Sequence, residues 1–190
     1  MKTKKKVLII LAFVLAVIVS FFLAVSVYHK IKLKKESAIL AGVFTRRIKV
    51  SDYNMSVYVE GKGENTIVFM SGSGTCGPVL DFKSLYSNLT DDFKIAVVEK
   101  FGYGFSDIAD CSRDIDSMLE DTRKALSKCG VEGPYILCPH SMSGLEALYW
   151  TQKFPEEVKA IIGLDMSFPE YYDQMKISKA KLKLLQKGAE

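Results

Sequence analysis

The chain has 190 residues, 48% of them hydrophobic and 25% charged, with 13 Gly and 5 Pro, a balance that excludes a disordered tail, a collagen-like repeat or a mini-protein. Its net charge of +4 conceals an asymmetry, because eight of the 26 basic residues (Lys2, Lys4, Lys5, Lys6, Lys30, Lys32, Lys34 and Lys35) precede the first acidic one, Glu36. That leaves 18 basic side chains against 22 carboxylates in residues 36–190, and an acidic main body argues against a nucleic-acid partner.

Residues 7–27 carry no charge, and only Ser20 and Ser26 among them are polar. As a helix rising about 1.5 Å per residue, 21 residues span roughly 30 Å, the thickness of the bilayer's hydrocarbon core. A secretory signal peptide has the same Lys-rich start, and Ala24-Val25-Ser26 fits a small-residue cleavage site, but its apolar stretch is usually only about 7–15 residues long. Residues 1–35 are therefore expected to be a single transmembrane anchor with basic flanks, its partner the lipid bilayer. Four lysines flank it on each side; the free α-amino group tips the expected orientation toward an inside amino terminus and an extracytoplasmic domain.

The stretch 36–47 reads as a polar connector. Arg47 to Val50 and Met55 to Glu60 are β-rich runs separated by Ser51-Asp52-Tyr53-Asn54, the pattern of a hairpin. Strands then alternate with helices. Thr66 to Met70, Lys94 to Val98, Tyr135 to Cys138 and Val158 to Leu164 are apolar runs of the fully buried kind, and helical stretches lie near 81–89, 114–129 and 142–154. The second helix is supported by Ile115, Met118, Leu119, Thr122 and Leu126, which share one face. An antiparallel start followed by β-α repeats implies an α/β domain with a mostly parallel sheet covered by helices. Cys76, Cys111, Cys129 and Cys138 form no CxxC or Cys/His spacing, so neither a metal nor a disulfide framework is indicated.

Two motifs compete for the function. Gly72-Ser73-Gly74-Thr75-Cys76-Gly77 follows a strand and fits G-x-G-x-x-G, with Glu99 at the end of the next strand, a dinucleotide-binding pattern. Pro78 would disturb the first turn of the helix that such a motif needs, and the preceding hairpin is foreign to that fold. Pro139-His140-Ser141-Met142-Ser143-Gly144 lies between a buried strand and a helix, where a sharp turn can present a serine at its apex in strained backbone geometry. The helix beyond it offers free N–H groups and positive potential to a developing oxyanion.

With the elbow motif in view, the sequence resembles the α/β-hydrolase family from about Val50 to Tyr172. The elbow is usually G-x-S-x-G; here Pro139 and Ser143 occupy the glycine positions. Phe101-Gly102-Tyr103-Gly104-Phe105-Ser106-Asp107 is similar to the family's P-G-Y-G-x-S-D turn, and Ile67 to Gly72 to the strand ending in His-Gly, with Ser71 in place of histidine. The resemblance implies Ser141 as nucleophile, the backbone N–H groups of Ser73 and Met142 as oxyanion hole, and a small acyl compound as substrate, with no cofactor. It allows Asp165, at the end of the sixth strand, as the acid of a triad; a strand-end turn residue is the plainer reading. Glu99 and Glu146 read as a turn and a helix-surface carboxylate. The family's order of Ser, then acid, then His cannot be completed, since the two histidines are His29, beside the apolar segment, and His140, adjacent to the serine.

The expected organisation is thus an anchor over 1–35, an incomplete α/β-hydrolase core of about six strands over 36–168, and the start of a lid helix over 169–190. In the lid, Lys176, Lys179, Lys181, Lys183 and Lys187 alternate with apolar residues. An open sixth strand would favour a second chain completing the sheet. The leading expectation is a membrane-anchored serine hydrolase of ester or amide bonds, inactive as these 190 residues alone. Its alternatives are a non-catalytic membrane-tethered binding protein on the same fold and a dinucleotide-dependent oxidoreductase.

Overall fold

The computed structural model of the protein describes residues 2–40 and 45–170. The chain divides into two compact units, Met1–Phe44 and Thr45–Glu190. The first is one helix, α1 (Lys2–Leu40), whose described side chains, among them Leu8, Phe13, Phe21 and Leu23, are exposed around its whole circumference. By length and composition it is long and apolar enough to cross a membrane, a description that a signal sequence also meets. Residues 36–40 of the expected polar connector are helical, because no Gly or Pro lies between Val27 and Gly42 to stop the helix earlier, and 45–47 belong to the first strand.

The second unit is built on one six-stranded mixed sheet: β1 (Thr45–Val50), β2 (Tyr53–Glu60), β3 (Thr66–Met70), β4 (Lys94–Glu99), β5 (Tyr135–Pro139) and β6 (Val158–Ile161), in the order β1-β2-β4-β3-β5-β6. β2 pairs antiparallel with β1 on one side and β4 on the other, whereas β4, β3, β5 and β6 run parallel. The hairpin is tighter than its sequence suggests: Val50 pairs with Tyr53, and Ser51 takes φ 54° to close a two-residue turn.

Alternation along the strands sorts the core into two layers. Val68, Met70, Ala96, Val98 and Leu137 pack with Leu119, Ala125 and Leu126 of α4 (Ile115–Lys128) and Ala147 and Trp150 of α5 (Ser143–Lys153). On the other face Phe69 meets Phe82 and Tyr86 at ring-centroid distances of 5.3 and 6.0 Å. Asp114 caps α4 by accepting from the Ser117 N–H at 2.9 Å, which fixes where that helix starts. The helix expected over 81–89 is instead two single turns, α2 (Pro78–Asp81) and α3 (Lys83–Tyr86), meeting at Phe82, with Pro78 in the first turn where its missing N–H costs nothing.

The sixth strand is shorter than its apolar run. Its ladder stops at Ile161, and one isolated bridge joins Leu164 to His140. Among the described residues β6 pairs only with β5. The expected lid, 169–190, lies outside the described residues beyond Glu170, and its lysines with it.

The strand order fixes where a site can form. The connection after β3 crosses to β4 on one side, while that after β5 crosses to β6 on the other. Adjacent strands whose following loops diverge leave a crevice at their carboxyl ends, where ligands bind in open α/β sheets. Those ends carry Ser71-Gly72 and His140-Ser141.

Candidate active site

Three residues, His140 to Met142, turn β5 into α5, and Ser141 at the bend has φ 53°, a left-handed conformation that a non-glycine residue adopts only when its surroundings enforce it. Three backbone hydrogen bonds enforce it. Ser141 N–H donates to the Leu164 carbonyl at 3.3 Å, and its carbonyl accepts from Gly144 and Ser167 N–H at 3.0 and 2.8 Å. The serine itself is half-buried and Met142 is 47% exposed, so the apex faces the crevice rather than the core.

Ser143 holds the bend from below. It is fully buried, and its hydroxyl accepts from the His140 N–H at 2.9 Å while lying 2.8 Å from the carbonyls of both Met70 and His140. The side chain at this usual glycine position thus stitches the end of β3 to the elbow. Pro139 accepts from Leu164 N–H at 2.8 Å. In an extended strand the nitrogen points the same way as the carbonyl, so its missing N–H falls on the β6 side and the bond from His140 to Met70 on β3 survives.

The loop after β3 passes directly over the elbow. Gly72 is buried, and a Cβ on it would lie 2.8 Å from Ser141 Cβ and 3.1 Å from His140 Nδ1, so only glycine fits. Ser73, next along, is exposed. Among the described residues no protein acceptor is paired with the N–H of Ser73 or Met142. His140 turns its ring to Phe82, edge-on at 6.4 Å, and His29 belongs to α1. Asp165 is exposed with φ 46°, one residue past the Leu164 bridge, and the described residues bring no imidazole to it.

Two carboxylates are placed otherwise than their sequence suggests. Glu99 is not a surface turn residue: it is fully buried and accepts from the N–H groups of Val79 at 3.3 Å and Phe105 at 2.7 Å, joining two loops. Glu146 is not on a helix surface either. It pairs with Lys100, the two side chains being 10% and 12% exposed. Lys100 also donates to the Ser71 carbonyl at 3.1 Å. Neither role has a local signal beyond the Glu99-Lys100 pair that follows the apolar residues 95–98. The Ser71 hydroxyl is buried without a partner among the described residues.

Outside the crevice, Asp107 of the Tyr103–Asp107 turn is held below the usual carboxylate range, first by the Asn54 N–H at 2.7 Å, then by the Asn54 side chain and Arg47. Under the elbow, burial pushes the Cys138 thiol up to about 11. No group of three or more His, Cys, Asp or Glu side chains able to hold a metal is found among the described residues.

The sequence pattern of the family described as alpha/beta hydrolase fold matches residues 65–186, well over half of the chain. The chain belongs to the α/β-hydrolase fold family. It is 48% identical over 179 residues to the uncharacterised protein YbdG of Bacillus subtilis (strain 168), covering 94% of this chain and 55% of that protein. A cis-3-alkyl-4-alkyloxetan-2-one decarboxylase of Xanthomonas campestris pv. campestris is 26% identical over 117 residues, 57% of this chain and 38% of that one. Among solved structures, the epoxide hydrolase VrEH1 from Vigna radiata superposes with a TM-score of 0.59 at 20% identity, over 68% of this chain and 40% of that one. The chain thus spans about half, or less, of the length of the relatives it matches. The names of these α/β-hydrolase relatives cover more than one reaction, so the fold does not by itself fix the chemistry.

Proposed function

We propose that Ser141 is the nucleophile of a hydrolase that cleaves an ester- or amide-type acyl bond in a small molecule. The observation that carries this reading is the positive φ of a half-buried serine at a strand-to-helix bend, with Gly72 packed against it. Strain of this kind persists where the surrounding structure over-determines it, and it clusters at active sites.

In this reading Ser141 Oγ attacks the acyl carbon, giving its proton to a general base as the carbonyl electrons move onto oxygen. The N–H groups of Ser73 and Met142 receive that oxyanion, aided by the N-terminal end of α5. Collapse expels the leaving group and leaves an acyl-serine, which water hydrolyses by the same steps. The reading requires a general base, an imidazole in the usual form of the family, and His140 does not serve as it because its ring faces Phe82. Without it Ser141 is a weak nucleophile. Asp165 is the candidate to orient that imidazole from the end of β6.

The test is fluorophosphonate labelling of the full-length protein. Label mapping to Ser141 and lost in Ser141→Ala supports the reading; equal labelling of both removes it. A second reading, a membrane-tethered binding protein that retains the fold without the chemistry, draws on His140 facing Phe82, on Ser71 where the family has histidine and on Pro139 in the elbow. It predicts no label and no hydrolysis of short-chain p-nitrophenyl esters.

The reading extends to α1 as a single-pass anchor, supported by its length, with the domain extracytoplasmic because the free α-amino group adds one positive charge to an otherwise even balance of flanking lysines. Carbonate-washed membranes should retain the protein and lose it when residues 1–35 are deleted. A mature amino terminus near residue 26 would instead identify a cleaved signal.

A further inference from the structure

The oxyanion loop makes few bonds of its own, yet three successive peptide planes in it are each pinned by a different side chain. Lys100 Nζ donates to the Ser71 carbonyl at 3.1 Å and fixes the plane shared by Ser71 and Gly72. Thr75 Oγ1 donates to the Gly72 carbonyl at 3.2 Å, fixing the plane shared by Gly72 and Ser73. The Gly74 N–H donates to the Tyr103 hydroxyl at 3.1 Å and fixes the plane shared by Ser73 and Gly74.

A peptide unit is planar and trans, so its N–H points opposite to its C=O. Holding the Gly72 carbonyl therefore aims the Ser73 N–H. Two of the three pins come from the turn after β4, which also donates from Gly104 N–H to the Cys76 carbonyl at 3.0 Å. Lys100 is in turn paired with Glu146 in the first turn of α5, so the frame that aims the loop is tied to the helix that follows Ser141.

We infer that Thr75, Lys100 and Tyr103 are positioning residues that set the direction of the Ser73 N–H relative to Ser141, with Thr75 acting most directly. The inference rests on Ser141 being the nucleophile. None of the three needs to touch substrate. Their effect appears where charge develops on the substrate oxygen, because a donor aimed away from the oxyanion stabilises the transition state less while leaving ground-state binding alone.

The test uses the full-length protein, with p-nitrophenyl butyrate as substrate and a fluorophosphonate as probe. In the probe reaction the Ser141 Oγ–P bond forms, the P–F bond breaks, fluoride leaves and the serine proton goes to the base. Thr75→Val keeps the shape and removes only the hydroxyl. It should lower kcat about tenfold with KM within about twofold, and slow labelling by the same factor. Thr75→Ser should restore the rate. Tyr103→Phe, which removes one half-exposed hydroxyl, should cost about threefold, and neither variant should shift the apparent pKa of the pH–rate profile.

Lys100→Met leaves Glu146 buried and unpaired and is expected to lose stability as well as rate. The double variant Lys100→Met/Glu146→Leu removes both charges and should regain thermal stability while remaining slow. Recovery of rate along with stability in that double variant would reduce Lys100 to a structural role and overturn its part. Thr75→Val at the wild-type rate, Thr75→Ser as slow as Thr75→Val, or a loss confined to KM would overturn the inference while Ser141→Ala still abolished labelling. Label retained in Ser141→Ala, or no label on the wild-type protein, would remove both the nucleophile and the frame built around it.

Discussion

The elbow at residues 139–144 and the loop at 71–77 face the same crevice but are held by different means. The elbow is locked from within: Ser141 is clamped by Leu164, Gly144 and Ser167, and the buried Ser143 hydroxyl ties it to Met70. The loop is exposed at Ser73 and Gly74 and leans on side chains from the turn after β4. A strained backbone needs a packed surrounding to persist, whereas a donor loop needs only direction. Damage to the elbow should therefore register as lost stability, and damage to the loop as lost rate.

The largest expected effect is on the elbow side. A Cβ at Gly144 would lie 2.2 Å from the Ser167 carbonyl oxygen and 2.9 Å from Met166 Cβ, so Gly144→Ala must move backbone. It should lower unfolding free energy by about 3 kcal/mol, read from the urea midpoint. Ser143→Ala comes next, at about 1–2 kcal/mol, because the hydroxyl's one donated bond, to the Met70 or His140 carbonyl, and the bond it accepts from the His140 N–H are both lost.

The far end of α5 gives a pH-dependent version of the same contrast. Arg123 holds the Glu157 carboxyl below its ordinary value of 4.5, aided by the Trp150 indole N–H at 2.7 Å. A carboxylate lowered in the folded state contributes stability above its unfolded pKa and loses it as pH falls through the folded one. Urea midpoints should be level from about pH 7 to 5 and fall below about 4.5. Glu157→Gln should cost about 1 kcal/mol at neutral pH and flatten the acid slope. Some slope should remain, because Asp107, Asp114 and Asp116 are lowered too.

Of the two glycines, the loop's has the smaller effect. Gly74 has φ 76° and open space where a Cβ would sit, so Gly74→Ala should cost about 1 kcal/mol of backbone strain and shift Tm by roughly 2–4 °C. Equal destabilisation by Gly74→Ala and Gly144→Ala would erase the distinction between the two regions.

What could be read from the sequence divides along related lines. β3 is legible because Thr66–Met70 is buried on both faces and its residues need no partner chemistry to declare themselves. The elbow is legible because an apolar strand abuts a helix with a serine at the junction. Ser143 is not, since a small residue at a tight position reads as a glycine substitute until its hydroxyl is seen to bond. Glu99, Lys100 and Glu146 are opaque for a different reason: a buried charge is permitted only by partners brought from elsewhere in the chain, 46 residues away for the Lys100–Glu146 pair. The short β6 and the split of the 81–89 helix were hidden because apolar content does not say where a ladder or a helical turn stops.

The four cysteine thiols make this difference chemically accessible. Cys76 on the loop and Cys111 are solvent-facing, whereas Cys129 and Cys138 are enclosed, the latter held in its unreactive protonated form by its apolar setting. A maleimide would tag the first pair in the folded molecule and reach the second only through opening. The molecule thus carries two sets of reporters, whose modification times would separate crevice motion from loss of the interior without any engineered dye.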